Sequence, residues 1–328
     1  MDRSALIAGF LEQNGYSCGQ VAPLAGDASF RRYLRLTGGP LPAVLMDAPP
    51  PEDVRAFIRI GRHLASIGLS VPEIIAADER SGLLLLEDFG DEVFATVPRP
   101  ETEEMLFETA VDALLVAQRA PAPALPAWGP AEMAEAALSP LLEWWWPACF
   151  GSLAPEAAKR DFRAALKTML AALDRDPRVF VHRDFFSGNL IWLPGRTGVR
   201  RIGILDFQSA ALGHPAYDLA SLIYDARQEI PPGLAERVVQ RYLAHTGREP
   251  ERFRTALAIC AAQRHLRVAG QWVRLALRDR KPHYLRHGPR TWRLLEESLA
   301  HPAASSLGAV LDRWVPPGLR GNPPGCVL

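Results

Sequence analysis

The string His182-Arg183-Asp184-Phe185-Phe186-Ser187-Gly188-Asn189, followed by Leu205-Asp206-Phe207, sets three oxygen-bearing side chains at spacings suited to phosphoryl transfer. A hydroxyl that attacks the γ-phosphate of ATP needs a carboxylate to take its proton, and the phosphates need Mg²⁺ held by further oxygen ligands. Asp184 suits the first task. Asn189, five residues on, and Asp206, from a second loop, suit the second.

Those residues must be positioned by neighbouring strands. Val179-Phe180-Val181 and Leu190-Ile191-Trp192 are short apolar runs on either side of the first loop, and Ile202-Gly203-Ile204-Leu205 precedes Asp206. Pro194-Gly195-Arg196-Thr197-Gly198 reads as a hairpin turn, which brings Asn189 and Asp206 side by side at neighbouring strand ends.

A chain of 328 residues favours two lobes. Lys plus Arg equals Asp plus Glu at 37 each, so global charge gives no argument for nucleic acid or an anionic membrane, and a small-molecule partner is expected. Lysine occurs only at 159, 167 and 281, so a phosphate-binding cation is expected to be Arg. The four cysteines are far apart and form no C-x-x-C pair, which speaks against a thiolate metal site or a disulfide scaffold. No leader-like start and no apolar run of about 20 residues is seen, so the expected location is the cytoplasm, without a membrane or an obligate protein partner.

Upstream, a helix over residues 2–14 precedes strands at 19–24, 30–36 and 43–46, a helix at 52–67, and strands at 71–76 and 83–86. The loop Ala25-Gly26-Asp27-Ala28-Ser29 is small enough for phosphates to approach its backbone N–H groups, and Ser29 and Phe30 are taken as nucleotide contacts. Glu87-Asp88-Phe89-Gly90 is expected to be the hinge, with backbone near Glu87 pairing with adenine and Phe89 beside it. From residue 101 the pattern is helical: 101–119, 131–146, 155–174, 217–228, 233–245, 250–279 and 290–300. The expected fold is α+β and bilobal: a small five-stranded antiparallel lobe with one helix over residues 1–88, and a larger, mainly helical lobe over 89–328.

With these motifs, the chain resembles the aminoglycoside phosphotransferase family, small-molecule relatives of protein kinases. The resemblance implies a protein-kinase-like fold and use of ATP and Mg²⁺. Gly213-His214-Pro215-Ala216-Tyr217-Asp218 is similar to that family's segment after the metal aspartate, which implies that Asp218, with His182, supports the catalytic loop. The segments Asp27-Ala28-Ser29-Phe30-Arg31-Arg32-Tyr33, Met46-Asp47-Ala48-Pro49-Pro50, Leu86-Glu87-Asp88-Phe89-Gly90-Asp91 and Gln263-Arg264-His265-Leu266-Arg267-Val268-Ala269-Gly270 resemble one branch. Its members are the cell-wall-recycling sugar kinases that phosphorylate the anomeric hydroxyl of N-acetylmuramate and N-acetylglucosamine to the α-1-phosphate.

One departure bears on mechanism. The third strand of typical kinases carries a Lys for the phosphates, whereas here it reads Val44-Leu45-Met46-Asp47. Arg31 and Arg32 are the candidates to replace it, and strand alternation lets only one face the phosphates. Arg31, which shares its face with Tyr33, is preferred over Arg32. Glu52 and Asp53 are candidate partners for that Arg, with helix capping the stronger account of both acids.

On the substrate side, Arg264, Arg267 and Arg274 share a helix face and suit the lactyl carboxylate of an acidic sugar, or else lie as stems over apolar neighbours. Arg183 either steadies the γ-phosphate or pairs with the loop after Asp206. Trp144 is a candidate sugar platform, and Asp225 a candidate ligand for sugar hydroxyls. Two other functions stay open at this level: a related kinase acting on an aminoglycoside, choline-like or homoserine-like substrate, and an ATP-binding pseudokinase suggested by the missing Lys.

Overall fold

A computed structural model describes residues 2–16, 20–24, 31–96, 100–231 and 233–326. Its strands are β1 (Gln20–Pro23), β2 (Arg32–Thr37), β3 (Ala43–Asp47), β4 (Ile74–Asp78), β5 (Leu83–Glu87), β6 (Ala127–Trp128), β7 (Val179–Val181), β8 (Leu190–Trp192), β9 (Ile202–Ile204) and β10 (Ala211–Gly213). The α-helices are α1 (Arg3–Gln13), α2 (Val54–Ser66), α3 (Pro100–Arg119), α4 (Pro130–Pro140), α5 (Trp146–Phe150), α6 (Glu156–Leu170), α7 (Ala216–Ile223), α8 (Leu234–Thr246), α9 (Pro250–Leu277), α10 (Gly288–Leu299) and α11 (Ser305–Trp314).

The chain packs as two compact units: residues 1–117 with 188–209, and residues 118–187 with 210–328. In the first unit β1 to β5 form an antiparallel sheet in the order β1-β2-β3-β5-β4. Leu45, Leu83 and Leu85 cluster with Phe10 and Leu11 of α1, and strand alternation sends Val44, Met46, Leu84 and Leu86 to the other face. Both faces of β3 and β5 are covered, which is why they read as unbroken apolar runs.

Residues on both sides of Asp88 bond to the β8–β9 region. Phe94 N–H donates to Leu190 O at 2.9 Å, Trp192 N–H to Glu92 O at 2.7 Å, and Ile204 N–H to Ser70 O at 2.8 Å. These bonds place the β8–β9 hairpin in the same unit as the sheet. Ser70 also donates its hydroxyl to Arg200 O at 2.7 Å, and the strand expected at 71–76 begins later, as β4 at Ile74–Asp78.

The second unit is mainly helical, with a small β6-β10-β7 sheet. The 28-residue α9 runs through it, and Gly270 lets the Pro140–Leu141 backbone approach so closely that a Cβ there would lie 2.4 Å from the Pro140 carbonyl carbon. The helix expected over 131–146 breaks at this crossing. It ends at Pro140 and continues as one π turn, Leu141–Trp145, in which Trp146 N–H reaches back to Leu141 O. Among the described residues no helix is long and apolar enough to cross a membrane.

Candidate active site

In the helical unit, β7 delivers His182 into a loop whose backbone is fixed by a buried carboxylate. Asp218, in the first turn of α7 and fully buried, accepts from His182 N–H at 2.6 Å and Arg183 N–H at 2.9 Å. Burial raises its pKa to about 7 against the lowering effect of those two bonds and of Arg264. The His182 ring packs edge-on against Phe185, and its Nδ1 accepts from Asp184 N–H at 3.3 Å. Arg183 adopts φ +75°, a left-handed backbone rare outside glycine, so the loop carries strain at the residue before Asp184.

Asp184 lies under two cations. Arg264 Nη1 is 3.5 Å and Arg267 Nη2 3.9 Å from its Oδ1. Burial alone pushes this carboxyl up, but Arg267, Arg264, His182 and Arg183 outweigh it and hold the pKa at about 2. Asp184 is therefore a fully ionised proton acceptor at neutral pH.

These contacts bear on two substrate expectations. Arg264 is 7% exposed and donates to Arg183 O at 2.9 Å, so it braces the loop from α9 and does not present a guanidinium to a sugar carboxylate. The Arg183 guanidinium lies 3.8 Å above the Trp128 ring, an arrangement in neither sequence reading. Trp145 and Trp146 are buried in the core, with Trp145 Nε1 donating to Gly321 O at 2.8 Å, and Trp144 is half-buried.

In the sheet unit, the hairpin pairs Leu190 with Ile204, and Leu205 N–H donates to Asn189 O at 3.0 Å. Asn189 and Asp206 thus sit at adjacent strand ends. Asp206 takes φ +57°, and its carboxylate accepts from the Gln208 amide. Phe207 is fully buried 4.6 Å from Phe57 of α2 and pins the residue before it. An amide oxygen beside a carboxylate is the hard, incomplete donor set that suits Mg²⁺ when phosphates and water complete its shell. Among the described residues no group of three His, Cys, Asp or Glu would cage an ion unaided.

Arg31 and Arg32 have different partners. Arg32 joins Arg3 on the fully buried carboxylate of Asp47, so its expected phosphate role is not supported. Arg31 pairs with Glu52 at 2.8 Å. Burial raises the Tyr33 hydroxyl pKa to about 12, with Arg31 opposing and Asp206 and Glu52 adding to the rise, which sets Arg31, Glu52, Tyr33 and Asp206 in one electrostatic group. The sequence had explained Glu52 as a capping acid. Asp53 alone caps α2, accepting Arg55 N–H at 2.8 Å, and Glu52 lies ahead of the helix.

At the segment expected to be the hinge, Glu87 N–H donates to Glu73 O at 2.9 Å and its carboxylate pairs with Arg196. Phe89 lies under Arg196 and packs so closely on Gly203 that a Cβ there would meet its ring at 2.7 Å. Ser29 and Phe30 lie outside the described residues.

A five-stranded antiparallel sheet with one helix, an Asp-x4-Asn loop and a hairpin ending in Asp206 together define a kinase-like α+β phosphotransferase. The chain belongs to the phosphotransferase enzyme family, whose pattern matches residues 20–255. It is 35% identical to the N-acetylmuramate/N-acetylglucosamine kinase of Caulobacter vibrioides over 96% of this chain and 97% of that protein. It is 38% identical to the protein of the same name from Pseudomonas aeruginosa, covering 89% and 88%. Its fold matches the crystal structure of a choline/ethanolamine kinase family protein from Mesorhizobium loti with a TM-score of 0.65, at 17% identity, over 95% of this chain and 98% of that one.

Proposed function

We propose that this enzyme is an ATP-dependent, Mg²⁺-requiring sugar kinase of the cytoplasm that phosphorylates the anomeric hydroxyl of N-acetylmuramate and N-acetylglucosamine to the α-1-phosphate, returning cell-wall amino sugar to use. The names of its relatives, at 35% and 38% identity over most of the chain, support the substrate. The observation that carries the mechanism is Asp184, ionised under Arg264 and Arg267.

Asp184 accepts the proton of the attacking hydroxyl. An anomeric hydroxyl is more acidic than an ordinary alcohol, so even a weak base suffices when alignment and charge neutralisation supply most of the rate. Asp218 and Arg264 fix the loop that aims Asp184, through the backbone at His182 and Arg183. Asn189 and Asp206 are the residues to hold Mg²⁺, which neutralises phosphate charge when bound. Arg31, steadied by Glu52, takes the place of the missing third-strand Lys. The functional division we infer is a nucleotide-binding lobe over 1–88 and a catalytic and substrate-binding lobe over 89–328.

The reading is tested by ADP release with MgATP against N-acetylmuramate, N-acetylglucosamine, glucose, kanamycin and choline. It expects turnover confined to the N-acetylated sugars; preference for kanamycin or choline, or nucleotide binding without turnover, overturns it.

A further inference from the structure

N-acetylmuramate differs from N-acetylglucosamine by a lactyl carboxylate, and the three arginines that share a face of α9 are not equally able to receive it. Arg264 donates to Arg183 O at 2.9 Å. Arg267 stands 3.9 Å from Asp184 Oδ1 and 3.4 Å from the Tyr217 hydroxyl. Both are engaged on the catalytic loop and its support. Asp225, the other polar candidate, is 2% exposed and accepts Arg227 N–H at 2.7 Å where α7 ends. Arg274 differs from all of these.

Arg274 is half-buried, and its Nε is shielded from solvent without an acceptor among the described residues. A surface arginine that only lays its stem over apolar neighbours keeps its whole head in water, which this one does not. Burial lowers its pKa, and Arg278 and Arg267 add to the fall against the opposing pull of Asp279 and Glu143. Of those two acids, Asp279 is taken by Arg278 at 2.7 Å and Glu143 is exposed. A guanidinium partly stripped of water beside two further cations gains from an anion that brings its own charge.

The location fits a substrate contact. Arg267, Gly270 and Arg274 are spaced three and four residues apart and so follow one face of α9, with Arg274 two turns, about 10 Å, beyond Arg267. Helical side chains lean toward the N-terminus, which turns Arg274 back toward Arg267 and Asp184. Gly270, between them, lets the Pro140–Leu141 backbone lie against α9, and the π turn that starts there carries Glu143. In N-acetylmuramate the anomeric hydroxyl and the lactyl ether stand on ring carbons separated by a single carbon, so a sugar that offers its hydroxyl to Asp184 can extend its carboxylate along this face. We propose that Arg274 takes the ether-linked carboxylate of an acidic N-acyl amino sugar and is the residue that separates N-acetylmuramate from N-acetylglucosamine. This assignment rests on the sugar-kinase reading.

The test is kcat/KM at saturating MgATP for N-acetylmuramate, its methyl ester and N-acetylglucosamine, using the full chain, Arg274→Gln and Arg274→Lys. For Arg274→Gln the loss for N-acetylmuramate is expected to exceed that for N-acetylglucosamine by about ten- to a hundredfold, chiefly through KM, with Lys recovering part of it. N-acetylglucosamine and the uncharged methyl ester should stay within about twofold of their wild-type values, which also shows that the fold and the ATP site are intact. Equal losses for acid, ester and N-acetylglucosamine overturn the assignment, as does a loss for the ester as large as that for the acid. Should the Gln variant not fold, the Lys variant decides by the same comparison, since it keeps the charge and loses only the planar fork. A wild-type enzyme inert toward both sugars refutes the kinase reading itself, and the role of Arg274 with it.

Discussion

Replacing Arg267 with Met should make the proposed base a measurably stronger acceptor. Arg267 is the foremost of the cations that lower the Asp184 pKa, and its Nη2 stands 3.9 Å from Oδ1. At that distance the attraction is about 4 kcal/mol for an effective dielectric of about 20, equivalent to about 3 pKa units. Asp184 and Arg267 side chains retain 26% and 15% exposure, and Arg264 remains in place, so half that figure is the lower bound. The Asp184 midpoint should rise from about 2 to between about 3.5 and 5. The assay is a ¹³C NMR titration of protein labelled at the Asp carboxyl carbons, with the resonance assigned by its loss in Asp184→Asn. In wild type that resonance should stay at its ionised position down to pH 3.5, and in Arg267→Met it should titrate within the observable range. Identical titrations in the two folded proteins would refute the claim that the arginine pair, rather than the loop alone, sets the acidity of Asp184.

Asp184→Asn should lose at least about a hundredfold in kcat while nucleotide affinity, read by calorimetry, changes little. Arg31→Met should raise the ATP KM or lower turnover, whereas Arg32→Met, which strips a partner from Asp47, should lower the melting temperature and leave the ATP KM near its wild-type value. Asp218 links stability to pH in the opposite sense from a paired surface acid. Its folded pKa of about 7 exceeds the unfolded value of about 3.9, so stability is lost as pH rises through that window and then levels off. Asp218→Asn, at a cost of about 1–3 kcal/mol from the disrupted pair of N–H bonds, should flatten the fall in melting temperature between pH 5 and 7.5.

Local pattern made much of this molecule legible. Apolar alternation and turn residues located β2, β3, β5 and the β8–β9 hairpin, and hence the adjacency of Asn189 and Asp206. Where tertiary contacts decide, less could be read. The helix over 131–146 gives way to a π turn where α9 crosses it at Gly270, between Pro140 and Pro147, two prolines whose missing N–H groups were a local signal of a break. The stretch 217–228 kept its helical period past Tyr224, but the Asp225 side chain takes the Arg227 N–H and ends the helix. The helix α11 was not foreseen. Arginine spacing along α9 revealed a shared face, though not that Arg264 and Arg267 would turn it onto Asp184, since only the fold brings residues some eighty positions apart together. Glu52 was masked by its neighbour Asp53, because both acids precede a helix and only one is needed to cap it.

The most direct test of the central claim is the position of the transferred phosphate. Incubation of the full chain with MgATP and N-acetylmuramate labelled with ¹³C at C1, followed by ³¹P and ¹³C NMR, should give a phosphomonoester whose phosphorus couples to C1 and to an α-anomeric proton, formed in step with ADP. Phosphate on another carbon, or ADP formed without a phosphorylated sugar, would contradict it.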